Sequence, residues 1–410
     1  MAGNGIGIVG AGISGLTLAL RLQQLGVETT LYCEGDAETL RKGRLPNTVG
    51  RSGHTLDRER ALGSAHYRDP GAMMIDAMLS LKGDPPLEFT GTFGKAYNAT
   101  DFRLLIPAFM DDFAERGGTI VVSGTAPDAE QVDRWSRRHE LMVVAAGRRS
   151  VAELFPRDPE LSPYDRPQRL LAAGLFHGMR PSDVFSFNIA GGVGEIFRAP
   201  IVSREGVVSG IIIEAVPGGP FEVITRLPWN EVAAALLPLF REHTPRLAER
   251  VEPDAFELLG PTDLLQGAIT PTVRRPVAEL PSGRMALAIG DAYVTNDPLT
   301  GQGANLGSRC AWIVADAIAA GGPYDAAFCR AAAARMWEVG GPVTHWTNMF
   351  LQPPAEHVMR LMLAAGTRQD VADVMVGLFA DPVYAWSLLS SPEAVSRIVD
   401  GDGRPLYDRV

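Results

Sequence analysis

The sequence predicts an α/β fold in which a parallel sheet is combined with a separate antiparallel sheet and a helical C-terminal region. Residues 5–9 and 27–33 are short apolar runs on either side of a segment, 16–26, whose leucines recur near helical spacing, and together they predict a β-α-β unit. Between about 165 and 280, short alternating segments separated by glycines predict an antiparallel sheet. After Gly303 the apolar pattern becomes helical and stays so to the end of the chain.

Three further strands are predicted in the parallel sheet, at residues 119–124, 141–146 and 284–290. The first two follow helical patterns at 104–117 and 130–140, so the alternation of strand and helix continues beyond the first unit. The parallel sheet is therefore expected to contain at least five strands.

Five strands are predicted in the antiparallel sheet from alternation and from β-branched residues. They are GLFHGM, DVFSFNIAGG, GEIFRAPIV, GVVSGIIIEAVPGG and FEVITRLP. Because successive side chains of a strand point to opposite faces, Phe185 and Phe187 are expected on one face and Ser186 and Asn188 on the other.

The composition restricts the function classes. The chain has 410 residues, of which 46% are hydrophobic and 21% charged, as in soluble globular proteins, and its net charge of −10 argues against a nucleic-acid surface. Its three cysteines, Cys33, Cys310 and Cys329, lie far apart, so we predict neither a disulfide framework nor a metal site, and a reducing cytoplasm as the location. The sequence has no run of about 20 apolar residues, and we expect no membrane span.

The segment GAGISG carries a G-x-G-x-x-G pattern at Gly10, Gly12 and Gly15. It follows a predicted strand and opens a predicted helix, the context in which Gly10 makes a tight turn, Gly12 lets the backbone approach a pyrophosphate and Gly15 allows close helix packing. The pattern indicates dinucleotide binding; the alternative is a glycine-rich turn without a ligand.

A second constellation is GDAYVTNDPLTGQGANLG, residues 290–307. Asp291 directly follows an apolar strand and is placed to accept hydrogen bonds from ribose or polyol hydroxyls, and Gly301 and Gly303 allow backbone N–H groups to approach a ligand as a helix begins. This geometry suits a flavin, although the glycines could also simply shape a tight turn.

Read together with GAGISG, this segment resembles the second FAD motif of the flavin-dependent aromatic hydroxylase superfamily. A narrower resemblance, to the two-component styrene and indole monooxygenases, rests on five segments in the same order and nearly the same spacing. They are RLPNTV (44–49), FRLLIPAFM (102–110), LLQGAITP (264–271), GDAYVTNDPLTGQGAN (290–305) and HWTN (345–348).

The resemblance implies a Rossmann-like FAD-binding domain of the aromatic hydroxylase type, with an inserted antiparallel β-sheet substrate domain and a helical C-terminal region. On this basis residues 1–164 form the N-terminal part of the FAD-binding domain and 165–280 the mainly antiparallel substrate domain. Residues 281–340 form the second part of the FAD-binding domain, and 341–410 the C-terminal helical region.

The resemblance also implies roles for individual residues. Asn47 and Thr48 match a pair close to the isoalloxazine and the substrate, and are our candidate catalytic residues, although they could merely close a turn after Pro46. Pro298 is expected to pack near the ring. The remaining matches to FAD-binding positions are Gly10, Gly12, Gly15, Arg44, Asp291, Gly301, Gln302, Gly303, Ala304 and Asn305.

Two departures from single-component relatives concern the nucleotide. Their ribose-binding Glu falls where this chain has Cys33, so Glu34 is either a displaced cofactor anchor or a surface residue. Their Asp-Gly motif, associated with FAD and NAD(P)H binding, reads Ala146-Gly147 here, and an alanine side chain accepts no hydrogen bond. We therefore predict that the chain borrows reduced FAD from a separate NAD(P)H-dependent flavin reductase, and we expect their contact to be transient.

In the family that the chain resembles, reduced FAD and O2 form a C4a-(hydro)peroxyflavin that epoxidises or hydroxylates a small apolar aromatic substrate. We assign Met74, Ala77, Phe185 and Phe187 to the substrate pocket. Arg51, Met74 and Ala77 replace histidine and aromatic residues of styrene-type members, which leaves open whether styrene or indole is accepted; the methionines could also be core packing. The resemblance further makes a homodimer an expectation.

Two other functions stay open on the sequence. One is a single-component aromatic hydroxylase that binds NAD(P)H itself, against which Ala146 argues. The other is a nonenzymatic flavin-binding protein that uses the same fold to hold a ligand.

Overall fold

The computed structural model describes residues 5–147 and 149–401 and contains two large β-sheets. In this part of the chain the strands are β1 (Ile6–Val9), β2 (Thr29–Cys33), β3 (Gly50–Arg51), β4 (Met73–Leu81), β5 (Leu87–Thr100), β6 (Thr119–Val122), β7 (Leu141–Val144), β8 (Leu170–Phe176), β9 (Phe185–Ala190), β10 (Gly194–Ser203), β11 (Gly206–Ala215), β12 (Leu264–Ala268), β13 (Thr272–Val273), β14 (Val277–Glu279), β15 (Met285–Ala288) and β16 (Val294–Thr295).

Helices surround both sheets. They are α1 (Ile13–Gln24), α2 (Ala37–Lys42), α3 (Gly53–Ala61), α4 (Phe102–Glu115), α5 (Ala129–Ser136), α6 (Trp229–His243), α7 (Pro245–Ala248), α8 (Gly303–Ala319), α9 (Ala326–Phe350), α10 (Glu356–Ala365), α11 (Gln369–Gly377), α12 (Pro382–Leu389) and α13 (Pro392–Val399). Short 3-10 turns include Pro220–Thr225, Gly290–Ala292 and Pro298–Thr300.

The first sheet has the order β14-β15-β7-β1-β2-β6, and all its pairs are parallel except β14 with β15. Its five parallel strands coincide with the five predicted apolar runs, so the prediction of a parallel α/β sheet is confirmed. Strand β1 is buried along its whole length between β7 and β2, which explains why it reads as an uninterrupted apolar run.

The second sheet has the order β12-β8-β11-β10-β9-β4-β5-β3 and is mainly antiparallel, with parallel pairs between β4 and β9 and between β5 and β10. Strands β3, β4 and β5 come from residues 50–100, where the sequence analysis predicts no strand. Strand β5 is interrupted by glycines, and a Cβ atom at Gly91 would lie 2.2 Å from the carbonyl oxygen of Ala372 in α11. The close approach of α11 therefore explains why Gly91 stands in β5, although a glycine weakens the strand pattern.

The prediction of a strand in FEVITRLP is wrong. Residues Pro220–Thr225 form a 3-10 turn that leads into α6. Phe221 and Ile224 are fully buried, and their spacing of three residues matches one turn of a 3-10 helix rather than the two-residue period of a strand.

The predicted alternation in strand β9 is confirmed. The rings of Phe185 and Phe187 both pack against Phe197, with centroids 5.9 and 4.6 Å apart. The Nδ2 group of Asn188 donates to Ser186 Oγ at 2.7 Å, which places these two side chains together on the opposite face. The phenylalanine face is covered by the C-terminal helices α10 to α13, whose apolar side chains share one buried cluster with Phe187.

The described residues contain no single helix that is long and apolar enough to cross a membrane; helices α11 and α12, bent by 120° at their junction, reach that length and apolarity only when taken together. Cys33, Cys310 and Cys329 are buried and free. Within residues 5–147 and 149–401, no group of histidine, cysteine and acidic side chains could hold a metal ion.

Candidate active site

Three loops meet at the carboxyl edge of the parallel sheet, where ligands bind in folds of this type. They follow β1, β7 and β15 and carry Gly10, Ala146 with Gly147, and Asp291. Gly10 has φ +110°, and a Cβ there would lie 2.9 Å from the backbone nitrogen of Ala146. A Cβ at Gly147 would lie 2.4 Å from the Cβ of Asp291. The three loops therefore pack together only because glycine stands at these positions.

The N-terminus of α1 opens onto the same edge. A Cβ at Gly15 would lie 1.9 Å from the carbonyl oxygen of Gly10, so Gly15 is required for the close packing of helix and turn. In contrast, a Cβ at Gly12 would meet no atom within 4 Å. The first helical hydrogen bond joins Leu16 N–H to the carbonyl of Gly12 at 3.0 Å, which leaves the N–H groups of the first turn for a ligand.

A second helix N-terminus, that of α8, lies beside the first. Ser14 of α1 fits between two glycines, since a Cβ at Gly290 or Gly307 would lie 2.5 or 2.1 Å from its Oγ. Gly301 has φ +63°, and neither there nor at Gly303 would a Cβ meet any atom within 4 Å. The N-termini of α1 and α8 thus lie at the same edge of the sheet, and both have glycines with free space at the Cβ position. Such an edge suits a dinucleotide whose phosphates bind one helix and whose flavin ring binds the other.

The side chain of Asn305 joins α8 to the segment before α3. Its Oδ1 accepts hydrogen bonds from Ser52 N at 2.9 Å and Thr55 Oγ1 at 2.7 Å, and its Nδ2 donates to the Gly50 carbonyl at 3.1 Å. Any contribution of Asn305 to a ligand therefore comes from its backbone. Sequence reasoning missed Ser52 and Thr55, although Ser52 has the helix-capping signature of a serine before α3.

The loop with the candidate catalytic residues Asn47 and Thr48 ends two residues before Gly50, the first residue that is bonded to Asn305. Leu45 N–H donates to the Thr262 carbonyl at 2.8 Å, and Arg44, which is exposed, reaches the Leu264 carbonyl at 3.4 Å. Asn47 is exposed and its Oδ1 accepts from Thr48 N–H at 2.7 Å, whereas Thr48 is buried. The loop is thus held near the N-terminus of α8 by bonds on both sides of Asn47 and Thr48.

A small apolar cavity lies between the second sheet and the C-terminal helices. Three of the four predicted pocket residues, Ala77, Phe185 and Phe187, line it, and Phe93 and Phe379 are among the further lining residues. Met74 is buried in the same apolar cluster without lining the cavity. Sequence reasoning missed Phe379 because it lies in the part of the chain without a recognisable motif.

Phe379 connects this cavity to the loop before α8. Its carbonyl accepts hydrogen bonds from Gln302 Nε2 at 3.0 Å and from Tyr97 Oη at 2.6 Å. Its ring packs edge-on against Trp346, with centroids 5.3 Å apart. Phe379 thus lines the cavity and also accepts a hydrogen bond from the loop Pro298–Gln302, so a ligand ring on the loop would lie close to the cavity.

Arg51 lies outside the cavity lining. It is completely buried, its Nη1 donates to Glu59 Oε2 at 2.5 Å, and its Nη2 donates to Asn98 Oδ1 at 2.5 Å and Thr100 Oγ1 at 2.7 Å. The guanidinium joins α3 to strand β5 and does not line the cavity. The replacement of the histidine that the family resemblance implies by Arg51 therefore affects the packing of α3 on β5 and not the wall of the cavity.

At the nucleotide end, Cys33 and Glu34 differ in burial. Burial, assisted by the charge of Asp36, raises the pKa of the Cys33 thiol to about 11, so the thiol is neutral at physiological pH. Glu34 is exposed at the end of β2, and its carbonyl accepts a hydrogen bond from Gly124 N–H at 3.1 Å. Asp36 is used as the N-cap of α2, which leaves Glu34 as the exposed carboxylate nearest the strand end.

The chain was compared with known proteins. A family profile described as the proposed substrate-binding domain of styrene monooxygenase A matches residues 147–250. Styrene monooxygenase StyA from Pseudomonas fluorescens is 32% identical over 403 residues, which cover 96% of each chain, and StyA from a Pseudomonas species has the same identity and coverage.

Solved structures show the same fold at low sequence identity. The flavin-dependent brominase Bmp2 superposes with a TM-score of 0.67 at 15% identity, covering 98% of both chains. A flavoprotein/dehydrogenase from Cytophaga hutchinsonii gives 0.64 at 10% identity, covering 97% of this chain and 99% of its own. The extent of the match to StyA, on a fold with an open dinucleotide edge and an adjoining apolar cavity, shows that this chain is an FAD-dependent monooxygenase and belongs to the styrene monooxygenase family.

Proposed function

We propose that the protein is the oxygenase component of a two-component flavin monooxygenase that epoxidises or hydroxylates a small apolar aromatic substrate, styrene- or indole-like. A separate NAD(P)H-dependent reductase supplies the reduced FAD. The observation that carries the substrate class is the cavity lined by Phe93, Phe185, Phe187 and Phe379 beside the loop that leads into α8. Such a lining offers aromatic contacts and almost no polar partner, which favours an uncharged aromatic ligand.

The residues present fit FAD. The open first turn at Gly12, with Gly10 and Gly15 shaping it, would hold the pyrophosphate, and Asp291 and Arg44 would contact the ribityl or phosphate region. Pro298 would pack against the ring, and the backbone from Gly301 to Asn305 would bond its edge. When bound, reduced FAD supplies the activation of O2 and the transfer of one oxygen atom.

The chain's own contribution is orientation and exclusion of water. The cavity has a volume of about 10 Å³ with its side chains as they stand, so these side chains would have to move to admit the aromatic ring of the substrate. Its apolar lining would then keep water away from the reacting atoms. Asn47 and Thr48 would border the cofactor and the substrate from the loop before α3, as positioning groups without an assigned proton transfer.

A separate source of reducing equivalents is supported by Ala146. Its side chain lies against Gly10 in the tightly packed turn, in place of a carboxylate that could contact a nicotinamide nucleotide. Glu34 would contact the ribose as the remaining acid at the end of β2. We further propose transient contact with the reductase, a homodimeric assembly and a cytoplasmic location; sedimentation velocity tests the dimer.

The test is a single turnover. The protein is loaded anaerobically with chemically reduced FAD and an aromatic alkene, indole or sulfide, and mixed with oxygenated buffer while the flavin absorbance is followed and products are identified by mass spectrometry. We expect a transient species distinct from reduced and oxidised flavin, and one oxygen atom in the product. Oxidation of the flavin at the rate of free FAD, without product, would contradict the proposal and favour a flavin-binding protein. Reduction of the flavin by NAD(P)H alone would favour a single-component hydroxylase.

A further inference from the structure

Two carboxyl groups are buried together behind the loop that leads into α8. Glu214 on β11 is 0% exposed, and Asp297, which caps the turn Pro298–Thr300, is 1% exposed. Both oxygens of Glu214 and Oδ2 of Asp297 accept no hydrogen bond from an N–H or hydroxyl group of the described residues. The two carboxyl groups lie within hydrogen-bonding reach of each other.

The cation that acts on both carboxyl groups, Arg169, is already paired. Arg169 donates to Glu195 through Nε at 2.7 Å and through Nη2 at 2.9 Å, a bidentate ion pair. Its charge is therefore balanced by Glu195, and two further ionised carboxylates beside this pair would be buried without compensation. One proton between Glu214 and Asp297 removes that conflict and satisfies an oxygen of each.

The electrostatic directions agree with this geometry. Burial, followed by the negative charge of Asp297 and its hydrogen bond, raises the pKa of Glu214 well above its usual range, with a smaller lowering by Arg169. Burial also raises the pKa of Asp297, but the hydrogen bonds from Glu214 and from Leu299 N–H oppose this effect. Asp297 also accepts the Leu299 N–H, whereas neither oxygen of Glu214 accepts a hydrogen bond from the described residues, so Glu214 is the member that retains the proton.

We propose that Glu214 is a positioning residue that stays protonated and donates its hydroxyl to Asp297, thereby fixing the turn Pro298–Thr300 against the cofactor. Asp297 then has two anchors, Glu214 on one oxygen and the Leu299 N–H, 3.1 Å from the other. Loss of the shared proton at high pH would leave two adjacent buried charges, and their repulsion would displace the turn. The inference extends the assignment of this loop to the cofactor, and its spectroscopic readout is independent of the reaction proposed above.

The direct test is infrared spectroscopy of the full-length protein at pH 7. We expect a C=O stretch of a protonated, buried carboxylic acid that disappears in Glu214→Gln and persists in Glu231→Gln, which changes an exposed glutamate at the start of α6. Absence of this band from the wild-type protein, or its persistence in Glu214→Gln, would overturn the proposal.

FAD affinity provides the second readout. Glu214→Ala leaves Asp297 with a buried unsatisfied oxygen and should weaken FAD binding by about tenfold or more. Glu214→Gln keeps a donor without a titratable proton, so it should rescue binding and remove the decline of affinity at high pH. If folded Glu214→Ala binds FAD as the wild type does, or if Glu214→Gln keeps the wild-type pH profile, the positioning role is wrong.

Discussion

At the scale of single residues, the three glycines of the first motif have different tasks. Gly10 and Gly15 are required by contacts within the protein, because a Cβ at either would meet backbone atoms at 2.9 or 1.9 Å. Gly12 is required by nothing in the protein, since its Cβ position is empty to 4 Å. The sequence motif predicts all three glycines but cannot separate the structural ones from the ligand-facing one, because that distinction depends on the packing of α1 on the turn.

This difference predicts opposite outcomes for two alanine variants. Gly15→Ala should lower the melting temperature of the cofactor-free protein and weaken FAD binding, because α1 must move away from the turn. Gly12→Ala should leave the melting temperature within about 1 °C and weaken FAD binding by about tenfold, because its methyl group enters the phosphate space. Gly191→Ala, at an exposed glycine with open surroundings, is the control. Unchanged FAD affinity in Gly12→Ala would show that the FAD pyrophosphate does not bind at the N-terminus of α1.

The buried Arg51 network makes a second residue-scale prediction. Arg51→Ala should lower the free energy of unfolding by about 3–5 kcal/mol, because it leaves the carboxylate of Glu59 buried without its main partner. The double variant Arg51→Leu with Glu59→Leu should cost less than Arg51→Ala, since no charge then remains unpaired. Urea unfolding followed by circular dichroism measures both. A double variant less stable than Arg51→Ala would show that the pair itself is a net source of stability.

At the scale of elements, the local pattern of apolar residues predicted those strands that have one or both faces apolar. It failed for β5, which contains glycines in its interior. Strand β9 was predicted together with its facing because Phe185 and Phe187 alternate with Ser186 and Asn188. Strand β5 was missed because Gly91 weakens its pattern. This glycine allows α11 to pack closely on β5, and the residues in contact are 281 positions apart in sequence, so no local pattern contains the contact.

Strand β4 offers an element-scale test of the cavity. Ala77→Leu should fill the space in front of Phe185 and lower kcat/KM for an aromatic substrate by about ten- to a hundredfold without changing FAD affinity. Ile75→Leu, at an exposed position of the same strand, is the matched control. Steady-state rates with saturating reduced FAD measure the effect. If kcat/KM is unchanged for every substrate tested, the cavity is a packing defect of the core and the substrate lies elsewhere.

At the scale of the whole molecule, the parallel sheet was predictable because each of its strands is followed or preceded by a helix nearby in sequence. The second sheet was not predictable as a whole. It combines the strands β3, β4 and β5 with strands that begin only at Leu170, 70 residues after β5 ends. For the same reason the pairing of Glu214 with Asp297 was missed, although a single acid within the apolar run GIIIEAV is a usable signal of a buried, functional carboxyl group.

The buried acids predict how global stability depends on pH. The folded protein binds a proton at Glu214 that the unfolded chain releases near the ordinary glutamate pKa, so folding takes up a proton between that pKa and the raised folded one. The free energy of unfolding should therefore fall as pH rises through this window, by up to about 1.4 kcal/mol per pH unit. Comparison of urea curves for the wild type and Glu214→Gln across pH 5 to 9 isolates the contribution, and identical pH slopes would argue against it.

The proposed supply of reduced FAD by a separate reductase also predicts how the molecule obtains its cofactor. Under the function proposed above, reduced FAD comes from solution and is held at Gly12, Glu34 and Gly303 by noncovalent contacts, so it would exchange with solution. An unrelated NAD(P)H-dependent flavin reductase should then support as much product per reduced FAD as the natural partner, whereas NAD(P)H without a reductase should give none. Product yield per flavin reduced, measured with each reductase at equal reduction rates, tests this. A yield that depends on the natural reductase would show that reduced FAD passes through a complex of the two proteins, because free diffusion would treat both sources alike.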